Sequence, residues 1–340
     1  MKFLFERLGR SGASIAACGL LLMSCGPKAA NFSILPAGQS TYQGNIANNK
    51  VDILWVIDNS GSMLTKQQNL AAGFNSFANV FVNKGFDFRM AIVTSDTKSA
   101  GAGGQQGEFQ GTPKIISSNN PSFASIFQTN VIVGAGGDSA AKELDAIILA
   151  LSNPNLSGPN AGFLRSDAHL AIISLSDADD NDSSNSTSDT LTFLEGLKPA
   201  KFDVISRTFK RNFTISTVGV NDTSDPECAP LLPLIEEAVK FKNLVSNTNG
   251  SFASICKNDF SQGLSSISQK IAEAITEIPL ARTPDSSTIT VLFNGTAVPQ
   301  DQNNGFSYIA SGNKIVFHGT WIPQNNTSIA INYIPVDIIR

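Results

Sequence analysis

The chain has 340 residues, with 24 Lys+Arg against 28 Asp+Glu and a formal net charge of −4. Weak acidity without Lys/Arg clusters excludes the electrostatic footprint of a nucleic-acid binder. The length suffices for one large domain plus a small one.

In chain order, Lys2, Arg7 and Arg10 precede an apolar run over residues 13–23. That run has the length of a signal-peptide core and is too short to span a bilayer. It leads into Leu22-Met23-Ser24-Cys25-Gly26, which resembles the cleavage box of bacterial lipoproteins. The resemblance implies removal of residues 1–24 and lipid attachment at Cys25, which anchors the chain to a cell envelope without spanning it. Gly26 fits the outer membrane by the sorting rule of enteric bacteria, and an ordinary secretory signal is the alternative. The removed segment carries +2 from Lys2, Arg7, Arg10 and Glu6, so the mature chain carries −6. Residues 25–49, rich in Ala, Gly, Asn, Ser and Gln, are expected to form a lipidated tether with a short edge strand near residues 32–35.

The folded body is expected from Lys50. Residues 51–57, VDILWVI, have the texture of a strand buried on both faces of a parallel sheet. The strand ends on the turn-forming Asp58-Asn59-Ser60-Gly61-Ser62. A helical pattern follows through Leu70, Phe74, Phe77, Phe81 and Val82. A carboxylate and two hydroxyls therefore stand at the carboxyl end of a central strand, where open α/β sheets bind ligands. Asp58, Ser60 and Ser62 are hard oxygen donors that suit Mg²⁺, Mn²⁺ or Ca²⁺. Capping of the following helix is the structural alternative.

Residues 86–94 predict another strand, ending at Ser95-Asp96, where Asp96 either stops the strand or neighbours the site. The Gly/Gln-rich residues 99–111 lack the Gly-Lys-Ser/Thr of a phosphate loop. Residues 131–151, VIVGAGGDSAAKELDAIILAL, give a Gly-rich entry to an amphipathic helix and present Asp138 and Ser139. Residues 170–176, LAIISLS, are a further buried strand with Asp177 at its end. The acidic run continues through Asp179, Asp180 and Asp182 but lacks the Gly and Glu of an EF-hand. A second cation site, a surface that gathers a cationic partner and a solvated loop are its readings.

Asp58-x-Ser60-x-Ser62 behind one apolar strand and Asp177 behind another resemble the metal-ion-dependent adhesion site of von Willebrand factor type A domains. The resemblance extends over residues 50–280. It implies a doubly wound, mainly parallel, Rossmann-like sheet and a Mg²⁺ ion (or Mn²⁺ or Ca²⁺) held by Asp58, Ser60, Ser62, Asp177 and a second-loop residue. Family members carry Thr in that loop; here the position falls to Ser139, with Asp138 as the alternative. Asp96, Asp179 and Asp180 are expected around these ligands, and the additional acids resemble a bacterial exported subgroup. The partner implied is a protein that presents an Asp or Glu carboxylate to the cation.

Further on, residues 190–197 and 202–209 predict helices broken by Lys198-Pro199, and residues 213–220 a strand. Residues 230–245 predict a helix, residues 251–256 a strand, and residues 260–278 a helix with Leu264, Ile267, Ile271 and Ile275 on one face. This alternation is that of an α/β domain. Residues 284–340 change to short strands and turns, a small C-terminal antiparallel β domain expected to pack on the α/β domain or on a partner. Of four cysteines, Cys18 leaves with the signal and Cys25 is lipidated, so Cys228 and Cys256 are expected to form a disulfide. Loop closure of that span contributes about 3–4 kcal/mol. Gly137-Asp138-Ser139 resembles the Gly-Asp-Ser of an esterase family, but that family's Asp-x-x-His partner and any Gly-x-Ser-x-Gly are missing. His169 and His318 stand apart, and no concentration of His suggests a metal hydrolase. The expectation is a metal-dependent binding protein rather than an enzyme. Its alternative is a structural subunit of an envelope assembly with a degenerate metal site.

Overall fold

The computed structural model describes residues 40–45, 49–98, 105–140, 142–203, 208–324 and 326–336. Residues 1–24, expected as a signal segment, Cys25 and the strand expected near residues 32–35 lie outside them. Three of the apolar runs form strands: β2 (Lys50–Ile57), β5 (His169–Leu175) and β8 (Phe213–Gly219). All of their residues but Lys50 are buried, which is why the runs lack polar alternation. With β3 (Asp87–Thr94), β4 (Ile116–Ser117) and β9 (Phe252–Ser254) they build a six-stranded sheet in the order β4-β3-β2-β5-β8-β9. Every pairing is parallel except the short β3–β4 edge.

Strand parity decides which helices cover which face. Ile53, Trp55 and Ile57 of β2 join a core with α1 (Leu64–Asn83), α2 (Phe123–Asn130) and α6 (Ser261–Thr276). Leu54 and Val56 point the other way, into a core with α3 (Glu143–Ala150), α4 (Thr187–Leu197) and α5 (Val239–Thr248). The Trp55 ring lies 5.0 Å from both Phe77 and Phe127, and Phe127 stacks on Phe74 at 3.9 Å. These contacts press α1 and α2 onto the sheet. From β2 the chain moves to β3 on one side and later to β5 on the other, so the strand order reverses between β2 and β5. The crevice at their carboxyl ends is where such sheets take ligands.

Besides a β-hairpin, the described residues hold two further antiparallel sheets. One runs β1 (Ser40–Asn45), β15 (Ser328–Tyr333), β11 (Thr290–Phe293), β12 (Thr296–Val298). The other joins β10 (Ile278–Pro279), β14 (Lys314–Phe317) and β13 (Phe306–Ile309). Asn294 and Gly295 both take positive φ, 50° and 85°, as a two-residue hairpin turn requires. Val291, Phe293, Phe317 and Ile331 share the core of α1 and α6, so this β unit packs on the α/β part. Lys84 Nζ donates to the Thr320 carbonyl across the contact at 2.6 Å.

Three expectations change. β1 falls inside the stretch expected as tether, because β15 takes it as a six-residue antiparallel neighbour. Residues 202–209 are not a helix: β6 (Lys201–Asp203) and β7 (Thr208–Lys210) pair antiparallel and satisfy each other's backbone locally. The helix expected from residue 230 begins only at Val239, since Pro233 would remove an amide donor and crowd the turn before it. Cys228 and Cys256 form the expected disulfide, with Cα atoms 4.9 Å apart. Among the described residues no helix is long and apolar enough to cross a membrane.

Candidate functional site

Asp58 is the first residue past β2 and only 2% exposed. Its amide donates to the Leu175 carbonyl at 2.9 Å, which continues the ladder to β5 by one residue. Oδ1 accepts the Ser60 amide at 2.8 Å and the Ser95 hydroxyl at 3.5 Å, while Oδ2 accepts the Ser176 hydroxyl at 2.8 Å. The carboxylate is thus oriented from β2, β3 and β5 at once. Ser60 Oγ and Ser62 Oγ lie 3.5 Å apart, with Ser62 exposed and near enough to Asp177 to favour its charged form. Helix capping is not what these residues do, because the α1 N-cap is Met63 and no side chain caps it.

Asp177 is the second buried carboxylate. Burial pushes its carboxyl upward and the nearby Asp58 adds to this, while the Ser62 hydroxyl and the Lys66 charge pull it back. Lys66 is itself buried, donates to the Ile255 carbonyl at 2.9 Å and is shifted downward by burial.

Gln67 of α1 staples the first loop to the second. Its Nε2 donates to the carbonyls of Asp58 and Gly134 at 3.0 and 2.8 Å, and its Oε1 accepts the Gly134 amide at 3.1 Å. Gly137 then donates its amide to the Asn59 carbonyl at 2.9 Å. A Cβ on Gly137 would stand 2.3 Å from Asn59 Oδ1, so the two loops meet only through glycine. The residues proposed for the second-loop ligand sit differently from the other four. Asp138 forms an ion pair with Lys98 at 2.9 Å, and Ser139 is exposed. Among the described residues no hydrogen bond or ion pair links either to Asp58 or Asp177. Asp96 turns to the Lys98 amide at 3.1 Å, at the end of β3.

Asp179 and Asp180 of the acidic run after β5 cap helices, while Asp182 is exposed. Asp180 Oδ2 accepts the Leu144 amide at 2.7 Å in the first turn of α3, and Asp179 Oδ1 accepts the Lys240 amide at 3.1 Å in the first turn of α5. A carboxylate there satisfies an orphan amide and meets the positive end of the helix dipole.

Glu143 is the residue the sequence reading missed. It opens α3, is fully buried, and neither carboxylate oxygen has a hydrogen-bond partner. Burial, with Asp58 and then Asp180 nearby, pushes its carboxyl well above the usual range. Ser176 is its polar neighbour, but that residue's one hydroxyl proton is directed to Asp58 at 2.8 Å. Asn59 Oδ1 is likewise buried without a partner. Ser95 and Ser176, also missed, could have been found from their places at strand ends. Glu143 and Gln67 carried no such signal, since an acid in a first helical turn is ordinary.

The donor set fits a hard divalent cation: carboxylates of Asp58 and Asp177, hydroxyls of Ser60 and Ser62, and partnerless acceptors on Glu143 and Asn59. Among the described residues no three His, Cys, Asp or Glu side chains are grouped to hold a metal by themselves. A cation at this crevice would therefore need the serine hydroxyls.

No family model matches the chain, and no curated protein matches it. Solved structures do resemble it weakly. Proximal thread matrix protein 1 from the mussel byssus superposes with a TM-score of 0.40 at 12% identity, over 72% of this chain and 52% of that one. The pilus adhesin SpaC from Lactobacillus rhamnosus GG gives 0.36 at 13% identity, over 87% of this chain and 41% of that one. The chain spans about half or less of each, and likeness at this level carries no argument about function.

Proposed function

We propose that the chain is a divalent-cation-dependent protein-binding module of the von Willebrand factor type A kind, held at a bacterial cell envelope by lipid on Cys25 and acting without turnover. The observation that carries the reading is the meeting of Asp58, Ser60, Ser62 and Asp177 at the point where strand order reverses. The carboxylates are buried while the hydroxyls reach the surface. Neutral hydroxyls at the open side leave a cation's charge uncompensated there, whereas a third exposed carboxylate would quench it. A bound Mg²⁺, Mn²⁺ or Ca²⁺ would supply an electrophilic position for one carboxylate oxygen of an acidic side chain on a partner protein. This chain's residues orient the site: Ser95, Ser176 and the Ser60 amide hold the Asp58 carboxylate, and Gln67 holds the loops together.

A structural subunit of an envelope assembly is the second reading. Exposed Ser139 and the Asp138–Lys98 pair favour it, since neither residue supplies the second-loop hydroxyl of the family pattern.

Calorimetric titration of Mg²⁺ and Mn²⁺ into the unlipidated mature chain, residues 27–340, separates the two. The expected result is one saturable site that Asp58→Ala and Asp177→Ala each weaken at least a hundredfold. A folded wild-type protein that takes up neither ion leaves the structural subunit.

A further inference from the structure

The second loop's contribution to the crevice is better assigned to its helix than to its tip. Three acceptor atoms in this region are buried without a hydrogen-bond partner: both carboxylate oxygens of Glu143 and Oδ1 of Asn59. Asn59 lies in the Asp58–Ser62 turn, and Gly137 of the second loop is packed directly against its side chain. Glu143 follows six residues later, beside Ser176, Asp58 and Asp180. Both loops of the crevice thus leave unmet acceptors, Asn59 where Gly137 packs on it and Glu143 near Asp58.

A buried carboxylate with no donor and two like-charged neighbours is costly, and such groups are found paired or on metals. Local donors cannot meet the need. The Ser176 proton goes to Asp58 and the Leu144 amide to Asp180, while the Lys66 ammonium acts on Asp177 and the Ile255 carbonyl. What the junction lacks is positive charge or a strong donor, and a divalent cation with its bound water supplies both.

We propose that Glu143 is the second-loop acceptor of the cation site, acting on the cation through its bound water, in the place that the family pattern would give to Ser139 or Asp138. The assignment rests on the cation-dependent reading above and names a residue that reading does not contain. It also accounts for the loop tip: Asp138 is free to pair with Lys98, and Ser139 to face solvent, because neither is needed at the ion.

The test is Mn²⁺ binding by the unlipidated mature chain, followed by the electron paramagnetic resonance of free Mn²⁺. Wild type is compared with Glu143→Gln, Glu143→Asp, Ser139→Ala and Asp138→Asn. Thermal melts with and without Mn²⁺ accompany each. Glu143→Gln is expected to lower Mn²⁺ affinity about ten- to a hundredfold. Without metal it should melt no lower than wild type, because the amide carries no charge to bury, and it should gain less from added Mn²⁺. Glu143→Asp keeps the charge, retracts it by one methylene and should also bind more weakly, which covers the case of a Gln variant that does not fold. Ser139→Ala and Asp138→Asn should stay within about twofold of wild type. Wild-type affinity in both Glu143 variants, or a loss in Ser139→Ala as large as in Glu143→Gln, overturns the assignment and leaves the cation reading standing. A wild type that binds no Mn²⁺ overturns both.

Discussion

Asp52 interrupts the most apolar strand of the sheet, and Arg165 is what makes it tolerable there. Arg165 gives Asp52 its backbone amide at 2.6 Å and its Nε at 2.8 Å. The same guanidinium donates to the carbonyls of Val51 and Asp87 and pairs with the Asp87 carboxylate at 2.8 Å. Burial nevertheless pushes the Asp52 carboxyl upward, with Arg165 pulling the other way. Arg165→Met should therefore strand a buried carboxylate and cost about 3–5 kcal/mol in denaturant titration. The sign of its pH dependence follows from the upward shift. An acid whose folded pKa is raised contributes best below its unfolded value and loses that contribution as pH rises through the folded one. Without Arg165 the shift is larger, so the variant's deficit should be small near pH 4 and widen toward pH 8. A deficit that narrows over that range would show that Arg165 is not Asp52's main support. At this scale the sequence was most legible where a candidate ligand lies just past a strand: Asp58, Ser60 and Ser62 come within five residues of β2's end, and Asp177 within two of β5's. Glu143 was not legible because its neighbours Asp58 and Asp180 come from other elements.

Elements follow their local signals wherever a cap or a proline is present. Ser186 and Asp189 form a capping box at α4: the Ser186 hydroxyl accepts the Asp189 amide at 3.1 Å, and the Asp189 carboxylate accepts the Ser186 amide at 2.9 Å. The Ser186 hydrogen bonds hold the Asp189 carboxyl below its ordinary value. A lowered acid contributes stability above its unfolded pKa and loses it as pH falls through the folded one. Ser186→Ala should reduce the melting temperature by a few degrees at neutral pH, and that difference should shrink on acidification below about pH 4. Helix periodicity was readable because its partners lie within four residues, whereas α4 begins three residues before the expected 190 because of its capping box. The hairpin of β6 and β7 was not readable, since the aromatic and β-branched residues in that stretch suit a helix face or a strand equally.

The whole molecule is held together by contacts between distant parts of the chain. Residues 38–340 form one compact unit, and β1 closes its C-terminal sheet by pairing with β15, nearly three hundred residues away. A chain beginning at residue 49 should melt lower than one beginning at residue 38. It should also self-associate, because β15 would become an open edge. Equal melting temperatures and a monomer in both cases would show that β1 adds nothing to the fold. The Cys228–Cys256 bridge ties the segment after β8 to the one after β9, and the pair His318–Glu273, 2.7 Å apart, joins β14's end to α6. By itself the sequence determined the α/β alternation, the buried strands, the disulfide and the four residues at the ends of β2 and β5. Each of those depends on hydrophobic period, turn chemistry or cysteine count, which are local or compositional. Only the tertiary structure decided that β1 belongs to the folded body, that Asp179 and Asp180 cap helices, and that Glu143 meets Asp58. Those facts depend on strand order and on which loops the crevice brings together, and no local pattern encodes a distance between residues eighty-five positions apart.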